Sequence, residues 1–146
     1  MSYSITNRDK RVMDFLRRSA IDNEGYGNAK IASAISIKGK IISLGHNSPK
    51  THPFQSLYGK NAEAVYLHAE TSAISNSLNH MGKTELEKST IYVYRVKRPV
   101  DNVKIWSSGL SKPCEGCMRA ITDFKIKRIV YSTDEENTFE VYKRTN

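Results

Sequence analysis

Cysteine is scarce: the 146 residues hold two, Cys114 and Cys117. Both fall in one C-x-x-C, so none is left over for a structural disulfide. Long apolar runs are missing too, since no stretch approaches the roughly 18 residues that a membrane span needs. The opening Met1-Ser2-Tyr3-Ser4 lacks the apolar core of a secretory signal. There is no internal repeat, low-complexity tract or linker. Together these absences argue against a disulfide scaffold, a membrane protein and a repeat array, and the expectation is a cytoplasmic protein with no membrane partner. Acidic residues are also few, 15 against 23 Lys and Arg, for a formal net charge of +8. That balance suits an anionic partner, either a nucleotide phosphate or a nucleic acid backbone. What is present is ordinary for a globular chain, 38% hydrophobic and 26% charged residues. The length suits one domain over 1–146 with a single core.

The periodicities alternate between helix and strand. Val12, Phe15, Leu16 and Ala20 recur at helical spacing from Asn7 to Ile21. Two β-branched runs, Ile31 to Ile37 and Ile41 to Leu44, flank Lys38-Gly39-Lys40 and read as a hairpin. A long irregular stretch follows, from His46 to Asn61, rich in hydrogen-bonding and cationic groups; long loops in compact domains are often functional. His68 opens a second helix through Asn79, with Ala69, Ala73, Ile74 and Leu78 as its apolar face and Gly82 as its C-cap. Thr90 to Val96 reads as a strand, Lys97 to Leu110 as a polar connection, Cys114 to Phe124 as a third helix with Met118 and Ile121 inward, and Lys127 to Ser132 as a strand. Thr138 to Tyr142 is a candidate edge strand. The order implies an α/β fold with helices covering a sheet.

Two stretches carry chemistry: Leu67-His68-Ala69-Glu70 and Lys112-Pro113-Cys114-Glu115-Gly116-Cys117. A lone C-x-x-C fits a redox couple or a metal site, and the upstream His-x-Glu favours metal, because a redox couple needs no distant histidine. One imidazole and two thiolates make three ligands with an open fourth position, the inventory of a catalytic zinc site, and Glu70 is left as an unligated proton shuttle. Cys114 and Cys117, three apart, can reach one ion from a single helical turn. Both motifs fall at helix N-termini, where the positive end of the dipole favours anionic ligands. Pro113 just before the turn helps to launch the helix. The competing arrangement is a closed structural zinc site whose fourth ligand is His46, His52 or His80.

With those motifs in place, the stretch from Ile31 to Ser132 resembles the cytidine/deoxycytidylate deaminase superfamily. The resemblance implies a three-layer α/β/α cytidine deaminase-like fold with a mixed central sheet of about five strands and flanking helices. It implies Zn2+ as cofactor on His68, Cys114 and Cys117, and Glu70 as catalytic acid and base. By the same resemblance Asn47, in Gly45-His46-Asn47, binds the substrate sugar and the backbone of Ala69 meets the base. Tyr131 is either a wall of the pocket or a sheet-core tyrosine.

Asn47 through Pro53, with the two ligand motifs, is most similar to the small, phage-type deoxycytidylate deaminases, which convert dCMP to dUMP. The implied substrate is a small-molecule nucleotide, and self-association as a homo-oligomer is expected by the same likeness. Lys50, Thr51 and His52 form a candidate monophosphate cradle, since an ammonium, a hydroxyl and an imidazole can each donate to phosphate oxygens. Two other functions fit the same residues: a deaminase of single-stranded DNA or RNA, and a non-enzymatic zinc-stabilised interaction domain. No run of alternating aromatics and arginines for stacking bases favours the polynucleotide.

Overall fold

Thr6 starts the first helix. Its hydroxyl accepts the Asp9 N–H at 3.1 Å while the Asp9 carboxylate accepts the Thr6 N–H at 3.0 Å, a reciprocal capping box. In this computed structural model, which describes residues 4–23, 29–47, 68–100 and 103–143, α1 then runs Asn7–Asp22. Its buried stripe is Val12, Met13, Leu16 and Ala20. Phe15, expected on that face, is 37% exposed, and Met13 is fully buried in its place. The i, i+4 row from Asp9 through Met13 sets the rotation of the helix and turns position 15 toward solvent.

The strands are β1 (Ala29–Ile37), β2 (Lys40–His46), β3 (Thr90–Lys97), β4 (Ser107–Gly109), β5 (Arg128–Ser132) and β6 (Phe139–Lys143). They form one mixed sheet in the order β2-β1-β3-β5-β6, with β4 paired to β3. Among the described strands only the β3–β5 pair is parallel. β5 lies beside Thr90 to Val93 of β3, and β4 beside Arg95 to Lys97, so β4 continues the same edge past the end of β5. Among the described residues the sheet thus has six strands where about five were expected. The added one, β4, is three residues of Ser-Ser-Gly within the segment expected to be a polar connection, too short and too polar to show an alternation. The candidate edge strand near the C-terminus is present as β6.

The other helices among the described residues are α2 (Ala69–Ser77), α3 (Lys83–Leu86) and α4 (Glu115–Asp123). Gly82 does not cap α2, whose C-cap is Leu78; it is the N-cap of α3, with the Glu85 carboxylate accepting its N–H at 3.2 Å. The acid three residues on makes Gly82 the start of a helix rather than the end of one.

Strand alternation separates two cores. Ala32, Ala34, Tyr92, Tyr94, Val96 and Val130 pack with the apolar stripe of α1. Ile35, Ile91, Val93, Ile129 and Tyr131 pack on the other face with Ala73 and Ile74 of α2 and Ala120 and Ile121 of α4. The fold is therefore three layers, α/β/α, as the resemblance implies. No helix among the described residues is long and apolar enough to cross a membrane.

One buried ion pair ties α1 to the sheet. Asp9, 1% exposed, accepts from Arg128 Nη1 at 3.0 Å and Nη2 at 2.6 Å and from the Tyr92 hydroxyl at 2.6 Å. Burial opposes its charge, but the bonds from Arg128, Thr6 and Tyr92 prevail and hold its pKa well below the usual carboxylate range. A carboxyl depressed in the folded state stabilises fully above its unfolded value of about 3.9, and loses that contribution as pH falls through the folded value. Asp9→Asn is expected to cost about 3 kcal/mol or more at neutral pH, because Arg128 keeps its place without its partner. Urea melts of parent and variant should show this gap unchanged from pH 7 down to about 5 and narrowing below about 4. A gap independent of pH would remove the ion pair as its cause.

Candidate functional site

A close approach of helix to strand places the first motif. A Cβ on Gly45 of β2 would lie 2.4 Å from the Ala69 carbonyl oxygen and 2.4 Å from the Ala73 nitrogen, so any side chain there would lift α2 off the sheet. Two bonds fasten the contact: Ser43 Oγ donates to the Ala73 carbonyl at 2.8 Å, and Asn76 Nδ2 donates to the Leu44 carbonyl at 2.8 Å. His68 is the N-cap of α2, in extended backbone at φ −90° and ψ 158°. Its side chain therefore leaves the helix rather than lying along it.

A serine latch places the second motif. Ser111 Oγ donates to the Val93 carbonyl at 2.8 Å and accepts the Ser132 N–H at 2.8 Å, and the Ser111 N–H bonds the Ser132 carbonyl at 3.0 Å. Ser132 Oγ in turn donates to the Gly109 carbonyl at 2.7 Å. The segment leading to Cys114 is thus clamped between β3 and β5. Cys114 is the N-cap of α4, and its sulfur accepts the Cys117 N–H at 3.5 Å. Pro113 precedes that cap and lies just outside the helix.

The two N-caps bring the ligands together. Cys114 Sγ lies 3.6 Å and Cys117 Sγ 3.3 Å from His68 Nδ1, and all three ligand atoms fall within 4.8 Å of one another. Tetrahedral zinc, with Zn–S of about 2.3 Å and Zn–N of about 2.0 Å, requires S···N edges of roughly 3.5 Å. The residues fit a zinc ion. Neither His46 nor His80 joins them: His46 Nε2 is bonded to Ser19 Oγ of α1 at 2.8 Å, and His80 is exposed. His52 lies outside the described residues, as do Lys50 and Thr51. Among the described residues the donor set is three, which leaves a position open for water.

Charge at the site is tightly shared. Hydrogen bonds from Cys117 and then His68 bring the Cys114 thiol down to about 4. The bond to Cys114, together with burial, pushes Cys117 far up, so the pair holds one proton between two sulfurs. His68 is raised, chiefly by its bond to Cys114. Glu70, in the first turn of α2 and 5% exposed, is raised to about 7 by burial. Zinc displaces the protons of such a set when it binds.

The other expected residues divide. Asn47 extends the β1–β2 ladder by one residue: its N–H bonds the Ile31 carbonyl at 3.3 Å and its Oδ1 accepts the Ile31 N–H at 3.0 Å. The carboxamide nitrogen takes no part in that bond. Ala69 is fully buried at the first helical position, where no carbonyl of the helix reaches its N–H. Tyr131 is 7% exposed within the apolar cluster beneath α2 and α4, and burial and a hydrogen bond to Glu140 push its hydroxyl up to about 12. That is the setting of a core tyrosine. The sequence reading passed over Ser43 and the Ser111–Ser132 latch, because lone serines carry no pattern, and it treated Gly45 only as the first residue of Gly-x-Asn. Among the described residues, two surface clefts of about 300 and 410 Å³ lie along α1; His46 lines the larger, and neither is lined by a zinc ligand or by Glu70.

A family profile described as the cytidine and deoxycytidylate deaminase zinc-binding region matches residues 6–133. In fold the chain is similar to the crystal structure of a cytidine deaminase from Burkholderia pseudomallei. The TM-score is 0.59 at 16% identity, over 91% of this chain and 90% of that one. No curated relative matches the chain in sequence.

Zinc titration of the full chain tests both supports of the site. Cys117→Ser is expected to abolish tight binding, while Gly45→Ala, which touches no ligand, should weaken it by about 10- to 100-fold, the range for losing a group that orients a ligand. Unchanged affinity in Gly45→Ala would mean that the seating of α2 on β2 does not set the position of His68.

Proposed function

The chain belongs to the cytidine and deoxycytidylate deaminase zinc-binding family, and from that premise we propose that it is a hydrolytic deaminase of a cytosine nucleotide, dCMP before others, yielding dUMP and ammonia. The observation that carries the reading is a buried carboxylate, Glu70, two residues past one member of a three-ligand cluster whose atoms lie within 4.8 Å of one another. A structural zinc site has no use for such a group. A hydrolytic one needs it.

Zinc, when bound by His68, Cys114 and Cys117, supplies the Lewis acidity that lowers the pKa of a water molecule. Glu70 takes a proton as the water oxygen bonds to C4 of the cytosine ring, and delivers it to the adjacent ring nitrogen. It carries the second proton to the exocyclic amine as the C4–N bond breaks and ammonia departs. Burial keeps bulk water from competing for those protons. The N–H of Ala69, unclaimed by the helix, is the donor for the base, and the carboxamide nitrogen of Asn47 is the donor for the sugar. Lys50, Thr51 and His52 are proposed phosphate contacts on sequence grounds alone, and homo-oligomeric assembly is retained from the family likeness.

Ammonia release from a panel of dCMP, CMP, dCTP, deoxycytidine, adenosine, guanine and a short single-stranded DNA tests the assignment. Turnover is expected on dCMP, and turnover on the oligonucleotide alone would move the function to nucleic acid editing. Glu70→Gln should keep its zinc and lose about 10²- to 10⁴-fold in kcat. An equally active variant would remove Glu70 from the mechanism.

A further inference from the structure

Arg95 of β3 carries a buried guanidinium nitrogen, Nε, that no acceptor meets. The odd residues before it, Ile91 and Val93, pack beneath α2 and α4, so strand alternation puts Arg95 on the face that carries the metal ligands. Gly109 stands directly opposite it on β4, and the Cγ and Cδ of Arg95 lie 3.2 Å from the point a Gly109 Cβ would occupy. The missing side chain at 109 is what gives the arginine stem its bed. Asp134, the nearby carboxylate that feels its charge, accepts from Lys97 Nζ and the Leu110 N–H on Oδ1, each at 3.0 Å, and does not accept from Arg95 Nε.

The sheet register relates this arginine to the site. Ile31 of β1 pairs with Arg95 on one side and is bonded by Asn47 on the other, so Asn47, Ile31 and Arg95 form one row across the sheet. Two strand spacings of about 4.8 Å put Asn47 and Arg95 roughly 10 Å apart at the backbone. Ser111 anchors the cysteine segment at the Val93 carbonyl, two residues back along β3, or roughly 7 Å. This is also the carboxyl end of the parallel pair β3 and β5, the side on which open α/β sheets bind ligands. A base at the metal, a sugar at Asn47 and a phosphate at Arg95 together span one nucleotide.

We propose that Arg95 is a specificity-determining residue that grips the 5′-phosphate of a cytosine mononucleotide and so makes this chain a deaminase of nucleotides rather than nucleosides. The proposal rests on the deaminase reading above. A buried guanidinium nitrogen without an acceptor is costly, and a phosphate offers the paired oxygens that match its fork. Lysine, a point charge, would meet the same anion less well.

The test uses the zinc-loaded full chain with two readouts, turnover of dCMP against deoxycytidine and calorimetric binding of dUMP against deoxyuridine. Arg95→Gln is expected to raise KM for dCMP and weaken dUMP binding by about 10- to 100-fold, with both nucleosides unaffected. Arg95→Lys should fall between parent and Gln. Should Arg95→Gln fail to fold, Gly109→Ala keeps the arginine, fills its bed and should show the same nucleotide-selective loss. Equal losses on nucleotide and nucleoside, no loss on either, or a loss confined to an oligonucleotide would overturn the proposal. A parent that binds dUMP through Arg95 yet releases ammonia from neither cytosine compound would instead overturn the deaminase reading.

Discussion

Everything at this site depends on bringing two helix starts to one point. Three donor atoms from segments 46 residues apart in sequence must sit within a few ångströms of one another, and neither segment can do so alone. Both are tied to the sheet, at different strands and by different means. α2 is seated on β2 by the absence of a side chain at Gly45 and by two side-chain bonds to carbonyls. The cysteine segment is held by a hydroxyl network in which Ser111 and Ser132 satisfy each other and the strand backbone. Buried hydroxyls are tolerable only when so satisfied, and the same bonds that meet that demand fix the register of the loop. N-cap geometry does the rest: extended backbone at His68 and Cys114 releases their side chains from the helical path, while Glu70, inside the helix, is held apart from the ligand two residues before it.

β3 is the common support of the two halves of the molecule. Its even residues, Tyr92, Tyr94 and Val96, meet α1, and its odd residues, Ile91 and Val93, lie under the metal helices. The Tyr92 hydroxyl reaches Asp9 on the α1 side, while the carbonyl of the next residue accepts the latch of the site. A strand constrained on both faces cannot slip, because a one-residue shift would exchange the two faces entirely. The buried pair of Asp9 and Arg128 adds a directional demand on how α1 lies across that strand.

Much of this was legible in the sequence, and what was legible shares a cause. The helices and long strands carry periodic apolar residues whose burial is a local consequence of spacing, and the ligands carry rare residue types at a spacing with few other uses. The misreadings fall where neither holds. β4 is three small residues without alternation, and its pairing is decided by the neighbouring strand. Gly82 looks like a helix stop until the acid at position 85 is seen to accept its N–H. Phe15 is apolar and at helical spacing, but the rotation of α1 is set by the carboxylate of Asp9 reaching for Arg128 and Tyr92, a contact between distant elements. The serine latch is invisible for the same reason.

The charge of +8 changes meaning once its bearers are placed. Arg128 is engaged by Asp9, Lys97 by Asp134, and Arg17 by Glu136 and the Trp106 carbonyl. Lys30 and Arg98 lie over the Trp106 ring at 5.2 and 4.4 Å, and Lys30 also bonds the carbonyls of Ile21 and Asn23. These cations close contacts within the fold, so a basic composition is not by itself a surface for a polyanion. Arg95 is different in kind, because it is drawn into the interior on the face of the metal ligands without an acceptor for its Nε. A surplus of positive charge therefore says less about the partner than one unsatisfied guanidinium nitrogen does: many exposed charges favour any anion, whereas a single partly buried fork favours an anion with paired oxygens at one fixed place.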